Sequence, residues 1–393
     1  MSYNIGLSGL RTTNKSLDVI SQNIANVSTS GFKAARAELS ALYGGGEPAG
    51  VELSKVSQNF DKDGNKTFTG RSLDMAISGK GFFVTKNNQG QTLYTRSGQF
   101  SQDADHNIVG SDGEHLQGFG VDKNGNLMTG VMSNLKVGTG NLPAKASTRL
   151  DFKANLRADA ELPKTPKFDT KDPSSYNYSY TSKLYDSKGT EHTLTQYFVK
   201  SGENQWTAHA YVDGQENSTQ ELSFNPDGSL AAPKDGFAID FAPEGADAMN
   251  VKLGLTGTTQ YAADFSAQYT ADGYSAGEMS GLHVEDDGSI MAVYTNGKEL
   301  LQGKVVLANF ANPEGLATAD NTSWTSTFES GHAELGQAGT GTLGNLVAGA
   351  YEGSNVDLTG ELVNLMTAQR NYQANAKSVS TADKMTQVLF SSM

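Results

Sequence analysis

Helical periodicity occurs at the two ends of this 393-residue chain and is not sustained anywhere between them, and that arrangement restricts the fold more than any other feature. Near the start, Leu10, Thr13, Leu17, Ile20, Ile24 and Val27 recur at intervals of three and four. Near the end, Leu358, Leu362, Leu365, Gln369, Tyr372, Ala376 and Val379 do the same, and Ala382, Met385 and Leu389 continue the run after a slip in the repeat. Such spacing is the a/d stripe of a helix that packs against another helix. It predicts one helix over about residues 4–28, weakened at Ser28, Thr29 and Ser30 and ended by Gly31 in the left-handed conformation. A second helix is expected from about Leu358, capped by Asp357, Ser354 or Asn355. A stripe this narrow is a seam for helices rather than a face for a sheet. The two ends are therefore expected to pair with each other and with copies from neighbouring chains, through Leu10, Leu17, Ile20, Ile24, Val27, Leu358, Leu362, Leu365, Tyr372 and Val379. The plainer alternative is a helical subdomain closed within one chain.

Roughly 320 residues of alternating, glycine-rich sequence lie between the two helices. Turn signals punctuate it at Asp112-Gly113, Asn124-Gly125, Asp287-Gly288 and Asn296-Gly297, and in the stretches YDSKGTEHTLTQYFV and LSFNPDGSLAA. Each marks a hairpin between short strands. Residues 34–70 look irregular, with a flexible break from Gly44 to Pro48. Four of the nine prolines fall within 141–175, which suggests a boundary or linker, and the small-residue stretch 262–280 looks like the return crossing. The order helix, β block, crossing, β block, crossing, β block, helix predicts nested, discontinuous β domains with α-helical termini. The expected division is a terminal helical layer (1–30 and 358–393), a connecting segment (31–69), a discontinuous β domain (70–145 and 276–357) and an inserted outer β domain (146–275).

Charge follows the same division. The chain carries a formal −13, which argues against a nucleic-acid partner. Residues 1–33 carry +2 and residues 354–393 carry 0, so the middle holds −15. Nearly neutral ends suit burial, because an unpaired buried charge is costly. There is no cysteine, which removes disulfides, thiolate nucleophiles and cysteine zinc sites. No apolar run is long enough for a membrane span or for the core of a cleavable leader, so export without a removable leader is expected and membrane insertion is not.

Patterns that carry chemistry are incomplete throughout. The six histidines do not occur at metal-ligand spacings. Asp61, Asp63 and Asn65 resemble the start of a calcium loop, but Lys66 and Ser72 stand where glycine and a bidentate glutamate are required. Asp103, Asp105 and Asn107 fail likewise, with Ile108 at the glycine position. No nucleophile elbow or phosphate loop is present. No catalytic residue, metal or cofactor is expected.

The stretches SGLRTTNKSLDVISQNIANVSTSGFKAAR (Ser8–Arg36) and SNVDLTGELVNLMTAQRNYQANAKSVSTADKM (Ser354–Met385) resemble the paired end signatures of the bacterial flagellar rod and hook family. GRSLDMAISGKGFFV, YTRSGQF and VVLANFANPEGL resemble that family's first β domain. The size of the piece at about 146–275 favours the hook branch over the shorter rod proteins. The resemblance implies a structural, non-enzymatic subunit of a tubular homopolymer, with terminal helices lining the tube and β domains projecting outward, acting as a flexible universal joint that carries torque from rod to filament. It implies a hook cap protein, the distal rod, a hook–filament junction protein and the flagellar type III export apparatus as partners, and an extracellular place in the basal body and hook. It also implies an export-gate motif shortly after the first helix, here Leu39 and Tyr43, with leucine where the family pattern has phenylalanine. The competing readings are a straight distal rod protein and, in another class, a secreted β-rich adhesin or glycan-acting enzyme.

Overall fold

The computed structural model describes residues 2–44, 47–122, 125–320 and 322–391. Helix α1 spans Ser2–Ala25 and helix α2 spans Leu358–Ser391; the rest is strand, turn and two short 3₁₀ turns. The first helix stops three residues before the expected end. From Asn26 the chain closes a series of turns, and Gly31 takes the left-handed conformation at φ 71°. At the start of α2 the Thr359 backbone N–H donates to Asp357 Oδ1 at 3.1 Å, so Asp357 is the cap.

Two compact units make up the chain. The first comprises residues 1–139, 281–293 and 299–393, and the second residues 140–280 and 294–298. In the first unit, strands distant in sequence close on one another. Lys66–Phe68 pairs with Ala350–Glu352, and Met75–Ser78 pairs with Asn345–Ala348. A larger sheet brings Phe82–Lys86 beside Glu299–Asn309 and Thr92–Thr95 beside Ser323–Thr325. Its core is aromatic: Phe82, Tyr94, Phe310 and Trp324 are buried together, and Phe60 meets both Phe82 and Trp324 edge to face.

Residues 34–70, expected to be irregular, contain a long antiparallel hairpin. Strand β1 (Ala35–Gly44) pairs with β2 (Glu47–Gln58), with irregularities after Glu38 and Leu42. The alternation was hidden because both faces carry mixed side chains, and a ribbon covered mainly along one side against α1 has no single apolar face to display. The glycine break called at 44–48 sits at the hairpin tip, where Gly45 and Gly46 lie outside the described residues. Asn124 of the predicted Asn124-Gly125 turn, and the side chain of Leu389, also lie outside them.

The second unit packs a five-stranded meander (Tyr178–Tyr185, Glu191–Gly202, Gln205–Val212, Gln215–Phe224, Leu230–Ala232) on a four-stranded sheet in the order Phe237–Phe241, Met249–Gly254, Arg149–Asn155, Ser266–Ala271. Strict alternation drives this. Trp206, Ala208, Ala210 and Val212 point inward to meet Leu150, Phe152, Ile239, Val251 and Leu253. The proline-rich stretch 141–175 is therefore more than a linker, because Arg149–Asn155 is a central strand. The stretch 262–280 likewise contains Ser266–Ala271, antiparallel to it. The strand that enters this unit and the strand that leaves it run side by side. Asp272 joins them, accepting from the backbone N–H of Thr148 and of Arg149, each at 2.9 Å.

Candidate functional site

Helices α1 and α2 lie antiparallel. Asn23 Nδ2 reaches Glu361 Oε1 at 3.1 Å at one end. At the other, a Cβ on Gly9 would stand 2.8 Å from the Asn375 amide and one on Gly6 would stand 2.8 Å from Val379. The closest approach therefore runs through glycines, whose missing side chains let the backbones come together. The sequence reading passed over Gly6 and Gly9 because it scored apolar side chains. The small-residue spacing in NIGLSGL was the signal available.

The expected seam residues take a different place. Within the single chain Leu10, Leu17, Ile20, Ile24, Val27, Leu365 and Val379 are half-buried, and Leu358, Leu362 and Tyr372 are exposed. The fully covered positions are Gly6, Gly9, Thr12, Val19 and Asn23 on α1 and Ala368 on α2. The intramolecular contact thus lies to one side of the predicted stripe, and much of that stripe still faces water. Val363 and Met366 add to it, at 54% and 57% exposed. Leu39 and Tyr43 sit on β1, 49% and 71% exposed.

The root of the helix pair is polar and largely buried, and only two of its members, Asn355 as a candidate cap and Asp63 in the DKDGN pattern, stood out in the sequence, neither for this role. Asn23 grips the first residue of β1 from both sides: the Ala35 N–H donates to its Oδ1 at 2.9 Å, and its Nδ2 donates to the Ala35 carbonyl at 2.7 Å. Asn355, weighed as a helix cap, holds three other backbones. Its Oδ1 accepts from the Ala34 N–H at 2.7 Å, and its Nδ2 donates to the carbonyls of Asn59 and Lys62. Beside it, Lys33, Arg96 and Glu352 are all buried. Lys33 Nζ donates to Glu352 Oε1 at 2.8 Å and to the Lys62 carbonyl at 2.9 Å. Arg96 Nε stands 3.2 Å from Glu352 Oε2, and its terminal nitrogens donate to Asp63 and to the carbonyls of Gly79 and Gly81.

Lys33, Arg96 and Glu352 are shut away from water, and Asp63 at the partly exposed edge supplies the second carboxylate that leaves the cluster neutral. Burial holds the Lys33 amine below its ordinary pKa, Arg96 lowers it further, and Glu352 opposes both. The loop DKDGN, set aside above as a failed calcium site, is the cradle. Asp63 takes Arg96, and the Gly64 N–H donates to Glu352 Oε1 at 2.8 Å. A Cβ on Gly64 would collide with the Gly353 carbonyl oxygen. Among the described residues no group of three or more metal-ligating side chains converges, and no helix is long and apolar enough to cross a membrane. Chemically the arrangement does one thing: it fixes where two helices with exposed apolar flanks leave a β body.

Four family descriptions match the chain in order: flagella basal body rod protein (residues 4–33), flagellar hook protein FlgE/F/G D1 domain (76–148), flagellar basal body protein FlaE D2 domain (155–274) and flagellar basal body rod FlgEFG protein C-terminal (347–391). Similar relatives include the flagellar hook protein FlgE of Escherichia coli K12, 36% identical over 99% of both chains. That of Salmonella typhimurium LT2 is 35% identical over 99% of both. That of Borreliella burgdorferi is 31% identical over 98% of this chain and 97% of its own. Among solved structures, the Helicobacter pylori flagellar hook protein FlgE2 shares the fold, with a TM-score of 0.55 at 14% identity over 71% of this chain and 98% of that one.

Proposed function

The chain belongs to the flagellar hook protein family, and we propose from that premise that its copies polymerise through the exposed flanks of α1 and α2 into a tube with the β units outside. It is a structural subunit of the flagellar hook. The observation that carries the proposal is the unpartnered apolar flank of α2, where Leu358, Leu362, Val363, Met366 and Tyr372 are all exposed on a helix that otherwise meets its own chain along one line. Burying a large apolar side chain contributes roughly 1.5–3 kcal/mol. Copies packed side by side supply that burial; one chain alone does not.

Polymerisation also gives the terminal helices their stability. Helix α2 packs on its own chain mainly along the line it shares with α1, and a helix with so little tertiary cover is marginal in water. Ordering costs about 1–2 kcal/mol per residue of backbone entropy. Helices that order on assembly keep free subunits apart until they reach the growing end.

The finer parts of the reading rest on family membership. They are a flexible joint between rod and filament; a hook cap protein, the distal rod and a hook–filament junction protein as neighbours; and passage through the type III export apparatus, with Leu39 and Tyr43 as its docking motif. Flexibility fits the polar, acidic outer surface, since contacts without large apolar anchors exchange easily.

The decisive experiment is Leu362→Asp. Loss of tubes by electron microscopy, with the β signal in circular dichroism unchanged, is the expected result; wild-type tubes overturn the interface. Curved, polymorphic wild-type tubes are expected, and straight rigid ones favour a distal rod protein. Removing residues 140–280 should alter curvature or stiffness while tubes still form.

A further inference from the structure

Helix α2 outruns its partner. At about 1.5 Å per residue its 34 residues span roughly 51 Å, against roughly 36 Å for the 24 residues of α1. The register set by Gly6 opposite Val379 and Gly9 opposite Asn375 uses up α1 near residue 383 of α2. The last turns of α2 therefore project past the start of α1. They carry Met385 and Val388, 67% and 66% exposed and one turn apart on the same side.

On the far side of α1 lies a groove of matching character. Asn4, Leu7, Ser8, Arg11 and Lys15 point nearly opposite to Gly6 and Gly9 around the helix. They face Leu42, Val51 and Leu53 of the hairpin across an open cleft of about 380 Å³. Ser8 Oγ accepts from the Val51 N–H at 3.2 Å and so holds hairpin and helix at this spacing. The floor is apolar. The rim carries Arg11 and Lys15 against Glu52, whose carboxylate accepts from Ser40. Among the described residues Arg11 has no ion-pair partner, and Lys15 has only the exposed Asp18 at 3.7 Å.

We propose that this groove receives the projecting end of α2 from a second copy of the chain, with Met385 and Val388 on Leu7, Leu42, Val51 and Leu53. The inference rests on the reading that copies polymerise, and it names which surface meets which. The same chain cannot supply the occupant, because its α2 runs along the opposite side of α1 and leads away past residue 2. Charge can be matched on both sides of the rim, with Lys384, the one ionisable side chain of residues 384–391, toward Glu52. The last turn of a helix carries about half a negative charge, which suits the positive side of the rim.

The chain has no cysteine, so an introduced pair gives an unambiguous answer. Leu53→Cys with Met385→Cys, assembled and then oxidised, should yield a ladder of covalent multimers on a denaturing gel, whereas each single variant gives at most dimers. Tubes without the ladder overturn the proposal. Met385→Glu and the double variant Arg11→Glu, Lys15→Glu should each raise the protein concentration needed for tube growth at least tenfold, with Met385→Leu near wild type. Wild-type assembly of Met385→Glu overturns the docking. If Leu362→Asp still abolishes tubes in that case, the helix interface stands without it; if neither variant affects tubes, both fall.

Discussion

Lys33 and Glu352 stand 319 positions apart and meet in a fully buried ion pair of 2.8 Å. Through it, the residues just before α2 determine where the chain leaves α1. Gly31 and Ser30 are drawn into the same contact, donating to the Glu352 carbonyl at 2.8 and 3.1 Å. The two helices are thus rooted at one point in the β body, although nothing in the sequence between them marks it.

Removing one member of this pair should cost far more than removing both. Glu352→Leu leaves Lys33 and Arg96 facing each other without water, and about 3–5 kcal/mol of the first unit's stability should be lost. Lys33→Met with Glu352→Leu should recover a large part of it. Urea denaturation followed through Trp324 measures the difference. Equal losses in the single and double variants would mean that the pair contributes through packing alone.

Gly31 has two reasons to be glycine. Its φ is 71°, and a Cβ there would meet the backbone N of Ser97. Gly31→Ala should therefore destabilise the first unit by about 1–3 kcal/mol from conformation alone, and by more from the collision. Gly113→Ala, at φ 79° but with open space around it, isolates the conformational part in the same denaturation experiment.

Acid should loosen the second unit through Asp272. Burial opposes its ionisation, but hydrogen bonds from the Thr148 side chain and from the backbone of Arg149 and Thr148 outweigh it, so its pKa falls below the ordinary 3.8. A carboxylate so depressed contributes fully above 3.8, and the contribution is lost as pH falls through the lower folded value. Asp272→Asn should be less stable at neutral pH and should show a shallower decline in acid. In a Trp324→Phe background the buried Trp206 reports on this unit. An unchanged acid slope would mean that other carboxylates govern it.

Hydrogen exchange should divide the chain by assembly state. In dilute subunits the amides of Ser2–Ala25 and Leu358–Ser391 should exchange within seconds, while the strands holding Trp206 and Trp324 stay protected. In polymer the helical amides should slow by orders of magnitude. Helices already protected in the dilute subunit would show that assembly is not needed to order them.

Much of the architecture was legible because local rules govern it. Gly288 and Gly297 fall at hairpin turns, with φ of 85° and 74°, since a tight turn has few residues to choose from. The turn signals in YDSKGTEHTLTQYFV and LSFNPDGSLAA likewise fall between paired strands, Tyr178–Tyr185 with Glu191–Gly202 and Gln215–Phe224 with Leu230–Ala232. The hairpin at residues 35–58 did not announce itself, because its cover comes from α1 rather than from a core of its own. The helix interface was half legible. Apolar spacing identified two seam-forming helices, yet the contact inside the chain passes through Gly6 and Gly9, residues that earn no apolar score. Lys33, Arg96, Glu352 and Asn355 were illegible for a different reason. Each looks like an ordinary surface residue until the fold brings the others to it.

What the sequence determined by itself is the division of the chain: helices at both ends, strands between, acidic middle and nearly neutral termini. Periodicity and turn chemistry act over a few residues, so they survive being read in one dimension. What only the tertiary structure decided is which flank of each helix is spent within the chain and which stays exposed, and where the two helices are rooted. Those depend on charge neutralisation and close backbone approach between segments more than 300 positions apart. Such contacts leave no local signature, because their free energy exists only once water has been excluded from between them.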